Sequence, residues 1–280
     1  MYPPTRNLNW VMPAEGVMVA IIVVGGVAPS SAPPLPSNPV LTVAADGGLD
    51  VAVALAIEVD LVVGDLDSVD PAGLAEARER GVEVRRFAAA KNHTDLELAI
   101  DAALEVEPSE LVIVGGGGGR LDHLIGVLAA LAGAAGRGAN VTGYVGTDLI
   151  WLVGAEVCLD ITAPPGTTLS LMPLGGPATV RRAIGLRWPL SGVMLSPWEA
   201  LGVSNLTESP EVSIEVSDGV VAVIAPGPET PARTHRLPLV TGLVGTSEVL
   251  EEQPAEAPAL AHEIATLARR LHQEIAISAP

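Results

Sequence analysis

Cysteine and lysine each occur once in this 280-residue chain, at Cys158 and Lys91. A lone cysteine excludes an intrachain disulfide framework and a thiolate metal cluster. Cys158, inside Glu156-Val157-Cys158-Leu159-Asp160, reads instead as a small hydrophobe of a strand. Positive charge as a whole is scarce: 15 Lys+Arg against 33 Asp+Glu give a formal net charge of −18 and a pI near 4.5. That balance argues against nucleic acid, anionic membrane surfaces and other polyanions as partners. A phosphate ligand would then need a metal or a local cation. A bilayer-spanning run is also missing. The apolar stretch Val17 to Val27 is too short to cross a membrane and lacks a basic leader, so it reads as a first strand, and a cytoplasmic protein is expected.

The chain is organised around Asp60-Leu61-Val62-Val63-Gly64-Asp65-Leu66-Asp67-Ser68, an apolar run that empties into two carboxylates one residue apart. A short continuous apolar run marks a strand buried on both faces of a parallel sheet, and ligands of such sheets sit beyond the strands' carboxyl ends. Asp65 and Asp67 therefore belong at the mouth of a site. Two hard oxygen ligands pointing one way suit Mg²⁺ carrying nucleotide phosphates. The structural alternative is that Asp-Leu-Asp-Ser only caps a helix beginning near Pro71. The arrangement recurs, however. Leu41 to Ala45 runs into Asp46-Gly47-Gly48, and Leu111 to Val114 runs into five glycines followed by Arg120-Leu121-Asp122-His123. Between them, Lys91-Asn92-His93-Thr94-Asp95-Leu96-Glu97 opens a helical pattern after Val82 to Phe87. Four strand-to-helix junctions thus bring carboxylates or cations to one end of a sheet.

Several of these residues carry two readings. Lys91 offers a compact ammonium suited to a point-charge phosphate contact, or is a solvated surface residue. Thr94 and Glu97 form a Thr-x-x-Glu capping box that satisfies backbone donors; Asp95 is not needed by it and keeps a functional reading. The run Gly115 to Gly119, closed by Arg120, is better explained as backbone N–H groups folding around phosphate than as a linker. It matches neither the Walker pattern nor the dinucleotide fingerprint. His123 is a ligand, a general base, or a helix-start histidine bonded to neighbouring backbone.

The predicted fold class is α/β. Residues 1–146 should form a doubly wound, mostly parallel sheet domain, after an irregular arm over Met1 to Glu15. Helices are expected over Leu49 to Ile57, between Pro71 and Gly81, and over Thr94 to Glu105. The grammar changes at Gly146-Thr147-Asp148. Short β-rich runs follow (Leu149 to Val153, Val157 to Ile161, Thr168 to Met172, Val212 to Val216, Val220 to Ile224), so residues 147–226 should form a small β-sandwich or barrel. Residues 227–280 read as a linker and a helix with one apolar stripe, Leu260, Ile264, Leu267, Leu271 and Ile275.

Taken in order, Ala45-Asp46-Gly47-Gly48, Gly64-Asp65-Leu66-Asp67-Ser68, Lys91 to Glu97, and Gly118-Gly119-Arg120-Leu121-Asp122-His123 resemble the motif set of the thiamine pyrophosphokinase family. The resemblance continues through Leu169 to Pro173, Gly185-Leu186-Arg187-Trp188-Pro189-Leu190 and Gly202-Val203-Ser204-Asn205, covering roughly Val17 to Ile224. It implies an N-terminal domain binding Mg-ATP, a C-terminal β domain, and a homodimer whose interface shapes the thiamine site. The implied reaction moves a pyrophosphoryl group from ATP to the thiamine hydroxyl, releasing AMP. Carried over by position, Asp46, Asp65, Asp67, Asp95 and Asp122 would form the acidic set, with Asp46, Asp65, Asp67 and Asp95 toward metal and Asp46, Asp67, Asp95 and Asp122 toward catalysis. Lys91 and Arg120 would hold phosphate oxygens, with Gly47, Ser68, Thr94, Gly118, Gly119 and His123 around the nucleotide. Ser204 and Asn205 would lie at the thiamine end, where Trp188 or Trp198 could stack on the substrate ring.

The chain departs from that pattern in places. Val127 stands where the family usually has an asparagine, the strand Val220 to Ile224 has no aromatic residue, and the tail after Pro226 has no recognised counterpart. Three other readings compete: a pyrophosphokinase acting on another acceptor such as a hydroxymethyl-pterin, a nucleotide-binding regulatory or scaffold protein that has lost turnover, and a metal-dependent phosphohydrolase built on Asp65 and Asp67. The last has no use for the glycine run or the second domain.

Overall fold

The computed structural model describes residues 17–88, 92–226 and 232–236, all in the first of the two units into which the chain divides, Met1–Leu237 and Pro238–Pro280. The expected N-terminal arm, Lys91 and the expected C-terminal helix lie outside the described residues. The first part alternates strand and helix: β1 (Val19–Val24), β2 (Leu41–Ala45), α1 (Gly48–Ala54), β3 (Leu61–Gly64), α2 (Pro71–Glu79), β4 (Glu83–Arg86), α3 (Asp95–Leu104), β5 (Glu110–Gly115), α4 (Leu121–Gly136) and β6 (Val141–Val145). Then come β7 (Asp148–Val153), β8 (Val157–Thr162), β9 (Thr168–Pro173), β10 (Ala178–Ile184), β11 (Val193–Leu195), β12 (Asn205–Leu206), β13 (Glu211–Asp218), β14 (Val221–Pro226) and β15 (Ala232–Arg236).

The apolar runs that read as strands are buried along almost their whole length: β1 is Val-Ala-Ile-Ile-Val-Val and β3 is Leu-Val-Val-Gly. Continuous Val/Ile/Leu is what a strand covered on both faces requires. By contrast β4, Glu-Val-Arg-Arg, is largely open to solvent, and it closes the sheet at its edge, where charge blunts pairing with other chains. The parallel order is β4-β3-β2-β1-β5-β6, so the chain leaves β1 toward one edge and returns to its other side at β5. This is a topological switch point, where open α/β sheets bind ligands. Helices α1 and α2 pack Leu49, Leu74 and Ala77 on one face over Ala44 and Val62. On the other face α3 packs Leu96, Ala99, Ile100 and Ala103, and α4 packs Leu131 and Ala134, against Ala20, Ile22 and Ile113. The doubly wound arrangement is present.

The expected sandwich is also present, and one of its layers is shared. From β6 the sheet continues antiparallel through β7, β14, β9 and β12, ten strands in all. A second sheet, β11-β10-β13-β8-β15, lies over it. Val112, Tyr144 and Trp151 from the first sheet and Leu159, Val180 and Ile214 from the second fill a common core. Strands β10, β11, β12 and β15 were not among the five expected β runs, β15 lying where a linker was expected; β10 carries Arg181 and Arg182 in mid-strand, which breaks a simple alternating pattern.

Helix α1 stops at Ala54, three residues short of the expected end at Ile57. Ala56 adopts φ 55°, and the Ile57 N–H turns back to Ala52 O at 2.9 Å while the Ala56 N–H reaches Val53 O at 3.2 Å. That pair of bonds is a Schellman stop, here made with alanine in the left-handed position that glycine usually takes. Among the described residues no helix is long and apolar enough to cross a membrane.

Candidate active site

At the carboxyl ends of the parallel strands a cleft of about 1070 Å³ opens, lined from the ends of β1, β2, β3 and β5 and the starts of α1, α3 and α4. Asp46 directly follows β2. Its N–H donates to Val63 O at 2.8 Å, which draws it against the end of β3, and it holds φ 46°, a conformation aspartate tolerates better than most residues. Gly64 ends β3. A Cβ there would stand 3.0 Å from Asp46 Cβ and 3.1 Å from Asp95 Oδ1, so glycine is what lets both aspartates close on the strand end.

The chain then turns through Asp65-Leu66-Asp67-Ser68. Leu66 holds φ 66°, at a cost of roughly 1–2 kcal/mol for a left-handed residue with a side chain. Its side chain packs against the Val69 and Leu74 cluster, which offsets that cost. The Asp67 N–H donates to Asp65 Oδ1 at 3.3 Å, and the Ser68 hydroxyl donates to Asp67 Oδ1 at 2.8 Å. As a result Asp46, Asp65 and Asp67 each offer a carboxylate oxygen within 4.8 Å of the other two. Asp46 Oδ1 is buried and has no hydrogen-bond partner among the described residues. Burial pushes the Asp46 carboxyl above its ordinary value; Ser68 and the Gly47 N–H act against this, and the neighbouring Asp95 and Asp65 charges add to it. An orphaned buried acceptor costs about 1–3 kcal/mol, and a cation among the three carboxylates would remove that cost. The donor set is all hard oxygen, which fits a hard divalent ion.

Asp95 opens α3 and faces the same cleft. The residue before it, Thr94, completes the expected capping box: its hydroxyl accepts from the Glu97 N–H at 3.2 Å and its own N–H donates to the Glu97 carboxylate at 2.7 Å. Opposite, the glycine run after β5 follows a path that glycine permits. Gly116, Gly118 and Gly119 have φ of 73°, 65° and 67°. Gly117 pairs with Val27 through two backbone bonds, Val27 N–H to Gly117 O at 2.7 Å and Gly117 N–H to Val27 O at 3.0 Å, and the Gly116 N–H donates to Gly25 O at 3.1 Å. Two amides of the run therefore fasten the loop to the end of β1, and Gly116 to Gly119 all line the cleft.

At the start of α4, exposed Arg120 pairs with Asp122, Nε to Oδ1 at 3.1 Å and Nη2 to Oδ2 at 2.5 Å. That guanidinium holds the Asp122 carboxyl below the usual carboxylate range. The His123 backbone N–H donates to Asp122 Oδ1 at 3.0 Å. Val127 also lines the cleft, its methyls beneath Gly116.

Of the residues singled out from sequence, the cleft gathers Asp46, Gly47, Asp65, Asp67, Ser68, Thr94, Asp95, Gly118, Gly119, Arg120, Asp122 and His123. Trp188, Ser204 and Asn205 do not line it. Asn205 is buried, and its side chain is engaged: it accepts from the Trp188 and Leu206 N–H groups and donates to Trp188 O at 2.8 Å. It holds the Trp188 loop in place. Trp188 itself is half exposed beneath the Arg187 guanidinium, 5.9 Å from its ring centre. Two titratable lining residues were given no role in the sequence reading, His93 and Asp50. Asp50 was visible only as an acid in the first turn of α1, a common place for one.

Comparison with known proteins adds to this geometry. The catalytic domain of thiamin pyrophosphokinase matches residues 34–142, and the vitamin B1 binding domain of thiamin pyrophosphokinase matches residues 157–221. The chain belongs to the thiamin pyrophosphokinase family. Thiamine pyrophosphokinase from Bacillus subtilis (strain 168) is 38% identical over 63 residues, which are 22% of this chain and 29% of that protein. The chain thus aligns in sequence with less than a third of this curated relative's length. In fold the coverage is far larger. The crystal structure of thiamine pyrophosphokinase from Bacillus subtilis superposes with a TM-score of 0.63 at 20% identity, over 75% of this chain and 99% of that one. Yeast thiamin pyrophosphokinase superposes at 0.60 and 17% identity, over 77% and 88%. The thiamin pyrophosphokinase fold therefore accounts for both the parallel sheet and the sandwich.

Proposed function

We propose that this chain is an ATP-dependent thiamine pyrophosphokinase that transfers the pyrophosphoryl group of ATP to the thiamine hydroxyl, giving thiamine diphosphate and AMP. The observation that carries the reading is the convergence of Asp46, Asp65 and Asp67 on one point of a cleft whose opposite wall is the glycine loop, in a chain that matches both domains of the family. Asp46, Asp65 and Asp67 would hold Mg²⁺, with Asp95 beside them. When bound, the metal neutralises phosphate oxygens and orients them for in-line displacement. The chain's own groups do the rest. Gly118 and Gly119 N–H groups receive phosphate oxygens, and Arg120 turns from Asp122 to meet them. Asp122 freed of that pairing, or whichever of Asp67 and Asp95 is not engaged by metal, accepts the proton of the attacking hydroxyl. Lys91 contributes a further cation to the phosphates.

The acceptor is assigned to residues 147–226, with residues 1–146 handling the nucleotide. Trp188, Ser204 and Asn205 stand outside the nucleotide cleft, and the same part exposes Trp188, Met194, Trp198 and Leu201 at 52%, 62%, 91% and 60%. Both features support a homodimer in which the acceptor site forms between copies. The reaction is assigned to the cytoplasm, where ATP is abundant and free Cys158 stays reduced.

Purified protein incubated with ATP, Mg²⁺ and thiamine should form AMP and thiamine diphosphate in equal amounts. AMP formed only with a different acceptor, such as a hydroxymethyl-pterin, would keep the pyrophosphokinase and discard thiamine. Nucleotide binding without turnover for any acceptor would make the chain a regulatory member of the fold.

A further inference from the structure

We infer that Asp50 is a positioning residue for the carboxylate trio, acting as the missing half of a helix capping box that is split between two helices. In a complete box the residue at the third helical position sends its carboxylate back to the backbone N–H of the cap residue. Helix α3 does this in one segment: Glu97 answers Thr94. Helix α2 cannot. Its cap is Asp70, whose carboxylate accepts from the Ala72 and Gly73 N–H groups at 3.4 and 3.3 Å, and its third helical residue is Gly73, which has no side chain to return. The Asp70 N–H is satisfied from elsewhere in the chain: Asp50, in the first turn of α1, presents both carboxylate oxygens to it, each at 3.2 Å. Asp50 also stands beside Gly73, where an added Cβ would be in ordinary contact with it, 3.8 Å from Asp50 Oδ1.

The consequence reaches the site. Asp46 precedes α1 and Asp65 and Asp67 precede α2, so the distance between these carboxylates depends on how the two helix starts are fastened together. Gly47 lies against the backbone of Ser68, where an added Cβ would be 3.4 Å from Ser68 O. The Asp50–Asp70 bond is the second fastening, at the far end of the turn. Just before both fastenings, Leu66 holds a left-handed conformation, which needs such support to persist. A cap supplied within α2 would stabilise that helix equally well but would leave the turn without this second tie to α1.

This inference rests on the metal reading proposed above, and the test separates the two. Mn²⁺ binding to the full chain is measured by the electron paramagnetic resonance of the free ion without nucleotide, and thermal unfolding is followed on the metal-free protein. Asp50→Asn keeps an acceptor for the Asp70 N–H and should bind Mn²⁺ within about 2-fold of the parent. Asp50→Ala should lower both the unfolding temperature and the Mn²⁺ affinity, the latter by about 10-fold or more, as expected when a ligand's supporting partner is lost. Asp50→Ala combined with Gly73→Glu rebuilds the box inside α2 and should recover the unfolding temperature without recovering affinity. The inference is overturned if Asp50→Ala binds Mn²⁺ like the parent, if Asp50→Asn is as weak as Asp50→Ala, which would make the charge itself the contributor, or if the double variant regains affinity as well. Should Asp67→Asn bind Mn²⁺ like the parent, the metal reading itself fails.

Discussion

Gly117 and Gly146 meet backbone to backbone: a Cβ on Gly117 would lie 2.4 Å from both the N and the Cα of Gly146. Gly146 is the turn between β6 and β7, where the parallel half of the large sheet gives way to the antiparallel half. Gly117 is also the residue that pairs with Val27. The glycine loop is therefore wedged between the end of β1 and the turn that starts the sandwich.

Gly117→Ala should displace that loop, because neither neighbour is a side chain that can swing away. Overpacking of this kind costs about 1–3 kcal/mol. At Gly119 a Cβ meets nothing within 4 Å, and Gly119→Ala carries only the strain of φ 67°, about 1–2 kcal/mol. Thermal unfolding should rank Gly117→Ala below Gly119→Ala, and the KM for ATP of Gly117→Ala should rise at least about 10-fold, equivalent to roughly 1.4 kcal/mol. Equal stability of the two variants would show that the Gly117–Gly146 contact does not constrain the loop.

Asp67→Asn should abolish metal-dependent turnover while leaving the fold intact. Asp67 is the exposed member of the trio, so removing its charge disturbs no core packing. Loss of a direct ligand should cost at least about 100-fold in activity, the upper end of what losing a ligand's supporting partner costs. Thiamine diphosphate formation and circular dichroism check the two halves of this expectation. An active Asp67→Asn enzyme would refute the metal assignment.

Thr94→Ala removes the acceptor for the Glu97 N–H and should lower stability by about 1 kcal/mol, with Thr94→Ser restoring most of it. Urea titration gives the difference directly. Because α3 carries Asp95 at its first turn, fraying should also raise the Mg²⁺ concentration needed for half-maximal rate.

Glu110 should impose a pH dependence on stability. Burial pushes its carboxyl above the ordinary value of 4.5, and the Thr142 hydroxyl, which donates to Glu110 Oε1 at 2.7 Å, opposes part of that rise. The folded protein thus binds this proton more tightly than the unfolded chain. The corresponding stabilisation is complete below 4.5 and is lost as pH rises through the higher folded-state value. Glu110→Gln keeps an oxygen for Thr142 and removes the charge, so denaturation across this range should show a flatter profile and a more stable protein at neutral pH. The buried Tyr144 hydroxyl, which has no partner among the described residues and is pushed upward by burial and then by the Glu110 charge, should titrate less abnormally in that variant.

Much of the cleft was legible in the sequence for a local reason. A strand buried on both faces must be a short apolar run, and the residues following it must lie at the sheet's edge, so Asp46, Asp65 and Gly118 follow from position along the chain. The Thr94–Glu97 box is equally local, three residues apart. The second part of the chain was harder to read. Asn205 stood out as a candidate for the acceptor, yet in the folded chain its side chain is spent on Trp188, seventeen positions away. Strand β10 escaped notice because its core-facing residues are interrupted by paired arginines.

The sequence by itself determined where the parallel strands end, that α3 carries its own cap, and that hard oxygen donors gather at one edge of a parallel sheet. Tertiary structure alone decided how those pieces are fastened. The Asp50 carboxylate reaches the Asp70 N–H across 20 residues, Gly117 abuts Gly146, and the parallel sheet runs unbroken into the sandwich through β6 and β7. Local patterns report propensity and periodicity within a few residues. These fastenings exist only after distant segments have been brought together, and no spacing within one segment encodes them.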